Sequence, residues 1–92
     1  MKQYRYTSLK FVEKNIPEME KRNVSERARS RGQFIDQYKK AGGNPKKLPE
    51  YWQKKRNSFV ARTKESERIH RMKGHNTDRQ KLSLIAWAYR PK

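Results

Sequence analysis

The chain has 92 residues, of which 25 are lysine or arginine and nine are aspartate or glutamate, so its formal net charge at pH 7 is +16. This length suits one small domain, and the absence of cysteine excludes disulfides and thiolate metal sites. No apolar run approaches the ~20 residues of a membrane span, and no apolar stretch typical of a secretory signal follows Met1. We therefore expect a protein that is not secreted and that is cytoplasmic, nucleoid-associated or packaged in a virion.

The N-terminal part of the chain is polar, basic and rich in tyrosine. We predict that residues 1–7 form a flexible basic arm and that residues 8–92 form a single small helical domain. Ser8 is suited to cap a short helical turn. Ile16-Pro17 is predicted to interrupt that turn, because proline disfavours helical conformation at the residue before it.

A second helix is predicted after Ser25, which is a suitable N-cap. Apolar residues then recur at helical spacing: Ala28, Phe34, Ile35, Tyr38 and Ala41. Gly32 lies inside this run, where a glycine lowers the stability of a helix by about 1 kcal/mol relative to alanine. Gly42-Gly43 supplies the predicted stop.

Two further helices are predicted in the C-terminal half. The first begins at Pro49, which the first turn of a helix tolerates, and ends at Gly74. It is either one long helix or a helix with a frayed second half. The last helix is predicted to begin with a capping box formed by Thr77 and Gln80, and to end before Pro91. It is the most apolar part of the chain, so we place it at the centre of the core.

These elements predict an all-α fold. The expected architecture is a small bundle of three main helices, with a short N-terminal helical turn and the basic N-terminal arm. At 32% hydrophobic residues, with two Trp, three Phe and five Tyr, the chain has enough apolar side chains for a modest core.

The charge predicts a polyanionic partner. A net charge of +16 exceeds the magnitude of ~2 to 8 that is usual for a small domain, and nucleic acid, either DNA or RNA, is the first candidate. We expect the phosphate backbone to lie along the third helix, the Asn44–Lys47 loop and the arm. The residues predicted to bind it are Arg5, Arg27, Arg31, Lys46, Lys47, Lys54, Lys55, Arg56, Arg62, Lys64, Arg68, Arg71 and Lys73.

Two other functions fit the same charge. The protein could be an inhibitor or interaction protein that binds an acidic protein surface or blocks another protein's nucleic-acid channel. It could also be a structural subunit of a capsid or ribonucleoprotein assembly. Charge alone does not separate these classes, because each partner is a polyanion.

Some residues have the chemistry to recognise bases as well as phosphates. Gln53, Arg56 and Asn57 carry amide or guanidinium groups that can hydrogen-bond to base edges. Tyr4 and Tyr6, in the predicted arm, are the best candidates for stacking on unpaired bases.

The sequence favours a protein without catalytic activity, metal or cofactor. Only His70 and His75 could titrate near neutral pH or bind a transition metal, and a spacing of five does not place them on one helix face. Glycine-rich phosphate loops and nucleophile elbows are missing from the sequence.

Overall fold

The structure, a computed structural model, describes residues 4–91 and is helical without strands over that range. Its elements are α1 (Leu9–Lys21), α2 (Glu26–Arg29), α3 (Phe34–Lys40), a 3-10 turn (Pro45–Lys47), α4 (Glu50–Met72) and α5 (Asp78–Ala86). The predicted all-α bundle is confirmed. Within residues 4–91, no helix has both the length and the apolarity needed to cross a membrane.

Helix α1 is longer than the sequence predicts. The Ser8 hydroxyl accepts a hydrogen bond from a main-chain N–H of the first turn, as an N-cap does. The helix then continues through Pro17 to Lys21, so the predicted interruption is wrong. Val12 and Met19, one on each side of the proline, are both fully buried. Packing of both halves against the core therefore outweighs the missing N–H of Pro17.

The second predicted helix is divided into α2 and α3. It begins after Ser25 as expected, although the Ser25 hydroxyl makes no capping hydrogen bond. Gly32 has a φ of +78°, and its N–H donates to the Asp36 carboxylate at 2.8 Å. The glycine thus forms the turn between two short helices instead of lying inside one. Helix α3 ends before Gly42-Gly43, as predicted.

Helix α4 is one continuous helix of 23 residues, about 35 Å long at 1.5 Å per residue. Pro49 precedes it in the N-cap position rather than in the first turn. Its C-terminal half extends beyond the core, where Met72 is 74% exposed. Helix α5 returns along α4 after a short turn, and we call this pair the α4–α5 hairpin.

The start of α5 differs from prediction, whereas the helix ends before Pro91 as expected. Thr77 makes no side-chain cap, and the Asn76 side-chain oxygen accepts from the Asp78 N–H at 2.8 Å instead. The capping box is therefore not formed. The helix ends at Ala86, before Pro91, because the chain turns sharply at Ala88, where φ is +58°.

The centre of the core is Trp87, at the end of α5. The residue is 4% exposed, and its ring stacks with Phe34, at a centroid distance of 4.9 Å, and with Phe59, at 4.7 Å. Aromatic rings from α3 and α4 thus meet on one side chain from the C-terminal part of the chain. Four residues of the last helix belong to the buried core: Leu82, Leu84, Ile85 and Ala86.

Residues 4–7, which we call the N-terminal segment, are extended and packed against the helices. The Thr7 N–H donates to the Ala88 carbonyl at 2.8 Å, and the Tyr38 hydroxyl donates to the Thr7 carbonyl at 2.7 Å. Residues 4–7 of the expected free arm are therefore bound to the helical domain. The rest of that prediction, residues 1–3, lies outside the described residues.

Candidate nucleic-acid interface

Arg56, which the sequence places on the basic surface, is fully buried. Its guanidinium donates to the main-chain carbonyl oxygens of Tyr4, Arg5, Trp87 and Ala88. It also donates to the Asn57 side chain at 3.0 Å and lies 3.8 Å from the centre of the Tyr6 ring. Burial lowers the pKa of Arg56 from its ordinary value. Because no part of this side chain reaches solvent, its predicted contact with phosphate is wrong.

The error has a geometric cause. Arg56, Lys64 and Arg71 do share one side of α4, as their spacing indicates. In the first half of the helix that side faces the core, where Val60 is also fully buried. Farther along the same side, Lys64 is half-buried beside the Tyr4 and Tyr89 rings, and only near the end of the helix is Arg71 exposed. The helical period therefore groups the residues correctly but does not say where along the helix the core ends.

The residues proposed for base recognition on α4 are also engaged inside the fold. Asn57 is 5% exposed and accepts from Arg56. The Gln53 side-chain amide donates to the Leu48 carbonyl at 2.7 Å. Arg56 and Asn57 are therefore not placed to reach a base edge, whereas Gln53 is half-buried with its amide nitrogen already engaged.

The remaining predicted residues reach the surface in separate groups. Lys46, Lys47, Lys54 and Lys55 lie near the start of α4. A second group occupies the C-terminal half of α4 and the turn after it: Arg62, Lys64, Arg68, Arg71 and Lys73. About 25 Å of helix separates Lys54 from Arg71. Arg5, Arg27 and Arg31 are exposed outside α4.

Arg27 and Lys55 are brought together across a depression of about 580 Å³ between α2 and α4. Glu26 lines the same depression. The Lys55 ammonium also lies 5.3 Å from the Trp52 ring centre. A carboxylate therefore lines this depression together with the two cations.

One flank of the α4–α5 hairpin forms what we call the arginine groove. It has a volume of about 500 Å³ and is lined by Arg62, Arg79, Phe59, Thr63, Ser66, Gln80 and Ser83. Among the described residues, no carboxylate lines it. Arg79 uses Nη1 to donate to the Arg22 carbonyl at 3.0 Å, which leaves its other N–H groups for a ligand. The Gln80 side-chain oxygen is buried without a hydrogen-bond partner.

The opposite flank forms a second groove of about 450 Å³, which we call the tyrosine groove. Lys64, Arg68 and Arg71 line it together with Tyr4 and Tyr89. Two carboxylates are present as well. Glu65 pairs with Arg68, which lowers the pKa of that carboxyl, and Glu67 lies 3.9 Å from Arg71.

The sequence did not identify Arg79 or Tyr89 as site residues. Arg79 has only Lys81 as a basic neighbour in the last helix, and Tyr89 has the helical spacing of a core residue. Each becomes part of a groove only because α5 returns beside α4. From the sequence, only the expectation that α5 packs antiparallel to α4 could have indicated that these two residues line grooves.

Most of the positive charge has no acidic partner. Residues 4–91 contain six salt bridges, which involve five basic side chains: Arg22, Lys39, Lys54, Arg68 and Arg71. The other exposed lysines and arginines in that range make no carboxylate contact. The surface is therefore strongly positive even after local pairing.

The two histidines are closer than their spacing suggests. Their ring centres are 5.8 Å apart, because the chain turns back after α4 and the His75 N–H donates to the His70 carbonyl. The inference from helix faces does not apply, since His75 lies beyond the helix. Over residues 4–91, no three potential metal-ligating side chains come together.

No protein-family model matches the sequence, and no curated protein or solved structure matches it significantly.

Proposed function

We propose that the protein binds nucleic acid without catalysing a reaction, and that it holds the phosphate backbone on the α4–α5 hairpin. The observation that carries the proposal is the arginine groove, where Arg62 and Arg79 face a groove without a carboxylate. Arginine, serine, threonine and glutamine side chains are the usual donors to phosphate oxygens in nucleic-acid complexes. The groove presents all four types.

The net charge supports the same proposal. Bound phosphates release their counterions when lysine and arginine neutralise them, so affinity falls as salt rises. If about half of the +16 charge contacts phosphates, the logarithm of the binding constant falls with the logarithm of salt at a slope of about −7 on duplex DNA. A charge of this size with few acidic partners also destabilises the isolated protein, and a polyanion relieves that repulsion.

The first experiment measures binding to duplex DNA, single-stranded DNA and structured RNA across a salt series. We expect tight binding at ~50 mM salt and a steep negative slope. Poly-glutamate serves as the acidic-protein comparison. Failure to bind any nucleic acid at the lowest salt would contradict the proposal, and strong binding to poly-glutamate alone would favour an acidic protein partner.

The interface is tested by the double variant Arg62→Gln with Arg79→Gln. Loss of two phosphate contacts should reduce the magnitude of the salt slope by about 2. The matched control is Lys10→Gln with Lys14→Gln, which removes the same charge from exposed positions on α1 and should leave the slope nearly unchanged. Equal slopes for the two folded variants would show that the hairpin is not the interface.

A further inference from the structure

The tyrosine groove combines aromatic rings with cations in a way that the arginine groove does not. The Tyr4 and Tyr89 rings meet edge to face at a centroid distance of 6.0 Å. The Lys64 ammonium lies 5.0 Å from the centre of the first ring and 5.1 Å from the second. Pro91 adds another apolar surface to the wall. The volume, about 450 Å³, lies in the range of small-molecule sites.

The position of Tyr4 is determined by the core. Arg56 donates hydrogen bonds to the carbonyl oxygens of Tyr4 and Arg5, and the Thr7 N–H is bonded to Ala88. The main chain on both sides of the groove is therefore held by the same buried guanidinium. The aromatic wall is formed before any ligand arrives, which reduces the entropy lost on binding.

Cations are available in the groove despite its two carboxylates. Glu65 is engaged by Arg68 through two N–H groups. The contact between Arg71 and Glu67 is 3.9 Å long, and the Arg71 side chain is 63% exposed, so most of its five donors can reach a phosphate. Lys64 and Arg71, about two turns apart along α4, therefore present positive charge beside the rings.

We infer that the tyrosine groove binds an unpaired nucleotide of a nucleic-acid strand, with the base against the Tyr89 ring and its phosphate on Lys64 and Arg71. This inference rests on the proposed function and makes it more specific. Aromatic side chains stack on bases that are free of a duplex, because paired bases keep their faces inside the helix. The protein should therefore bind single strands more tightly than duplexes.

The test compares a single-stranded oligonucleotide with a blunt-ended duplex of two complementary strands, which has no unpaired loop, at equal nucleotide count and one salt concentration. Tyr89→Leu removes the stacking ring, and Tyr89→Phe is the matched control that keeps it. We expect the leucine variant to lose about 5- to 100-fold in affinity for the single strand. The phenylalanine variant should stay within about twofold, and neither substitution should change duplex affinity.

A second variant keeps the test decisive if Tyr89→Leu is poorly folded. The double variant Lys64→Gln with Arg71→Gln replaces two positively charged side chains of α4 by neutral amides. It should reduce the magnitude of the salt slope on single strands by about 1.4, with no change on the duplex. Unchanged single-strand binding in this variant, or equal wild-type affinity for both oligonucleotides, would overturn the inference. In that case duplex binding would leave the proposed function intact, whereas no binding to either oligonucleotide would contradict both.

Discussion

The guanidinium carbon of Arg56 lies 3.8 Å from the centre of the Tyr6 ring, and the arginine is fully buried. No carboxylate among the described residues pairs with it. Main-chain carbonyl oxygens of the N-terminal segment and of Trp87 and Ala88 surround its N–H groups instead. One side chain from α4 thus holds both ends of the described chain together, since its hydrogen bonds replace those lost to water.

Substitution of Arg56 should be among the most destabilising changes in this protein. Arg56→Ala leaves several buried carbonyls without donors and opens a cavity, so we expect the free energy of unfolding to fall by about 3 to 5 kcal/mol. Arg56→Lys keeps the charge but replaces the planar guanidinium by a single ammonium nitrogen. It should lower the free energy of unfolding by about 1 to 3 kcal/mol. Urea unfolding measures both values. A loss below about 1 kcal/mol for the alanine variant would contradict the role assigned to the guanidinium.

Alkaline pH should destabilise the fold through two buried tyrosines. Burial raises the pKa of Tyr38 and of Tyr6 above the ordinary value of 10.0, so the folded state holds these protons more tightly than the unfolded state. Their contribution to stability is complete below pH 10 and is lost as the pH rises through the folded-state pKa values. Urea unfolding from about pH 8 to about pH 11 should show this loss.

The control for the alkaline effect is Tyr38→Phe. At neutral pH it should cost about 1 kcal/mol, because the hydrogen bond to the Thr7 carbonyl is removed. Its stability should then fall less between neutral and alkaline pH than that of the wild type. An identical alkaline loss in the two proteins would show that Tyr38 does not contribute to it.

Gly43 and Gly42 provide a matched pair of substitutions at the end of α3. Both have positive φ values, +75° and +66°, which cost an alanine about 1 to 2 kcal/mol. A Cβ at Gly43 would also lie 3.0 Å from the Leu9 Cβ, whereas a Cβ at Gly42 meets nothing within 4 Å. Thermal unfolding should therefore show a larger loss for Gly43→Ala. Equal losses would mean that the contact between this turn and α1 relaxes without cost.

Pro17→Ala should stabilise the protein. The proline is exposed within α1, and alanine restores the N–H that bonds to the Glu13 carbonyl. We expect a gain of about 1 to 3 kcal/mol in the free energy of unfolding, somewhat reduced by the greater freedom of the unfolded chain. A decrease in stability measured in urea would show that the helix depends on the proline conformation.

The features predicted correctly from the sequence are local ones. The Ser8 cap and the stop at Gly42-Gly43 each depend on residues within a few positions of one another. For α4 the sequence left open both one long helix and a helix with a frayed second half. Where local chemistry competed with packing, the prediction was wrong. Pro17 lies within a helix because buried side chains on both sides of it outweigh one lost hydrogen bond.

The candidate site was predictable only in outline. Arg62, Lys64, Arg68 and Arg71 line hairpin grooves, and their basic character alone singled them out. Arg79 and Tyr89 complete those grooves from α5, and no periodicity within α4 could indicate which side chains of another helix face it. The N-terminal segment illustrates the same limit, since its tyrosines were expected in solvent and instead contact Arg56 and Lys64.

The sequence by itself determined the helical class, the excess of positive charge and the aromatic content of the core, because these follow from composition and short-range spacing. Only the tertiary structure decided which charges face solvent. Arg56 and Arg62 belong to the same helix and have the same chemistry, but one lies inside the core and the other lines a groove. The difference arises from what packs against each turn of α4, because a buried arginine needs hydrogen-bond acceptors in place of water, and around Arg56 main-chain carbonyl groups supply them.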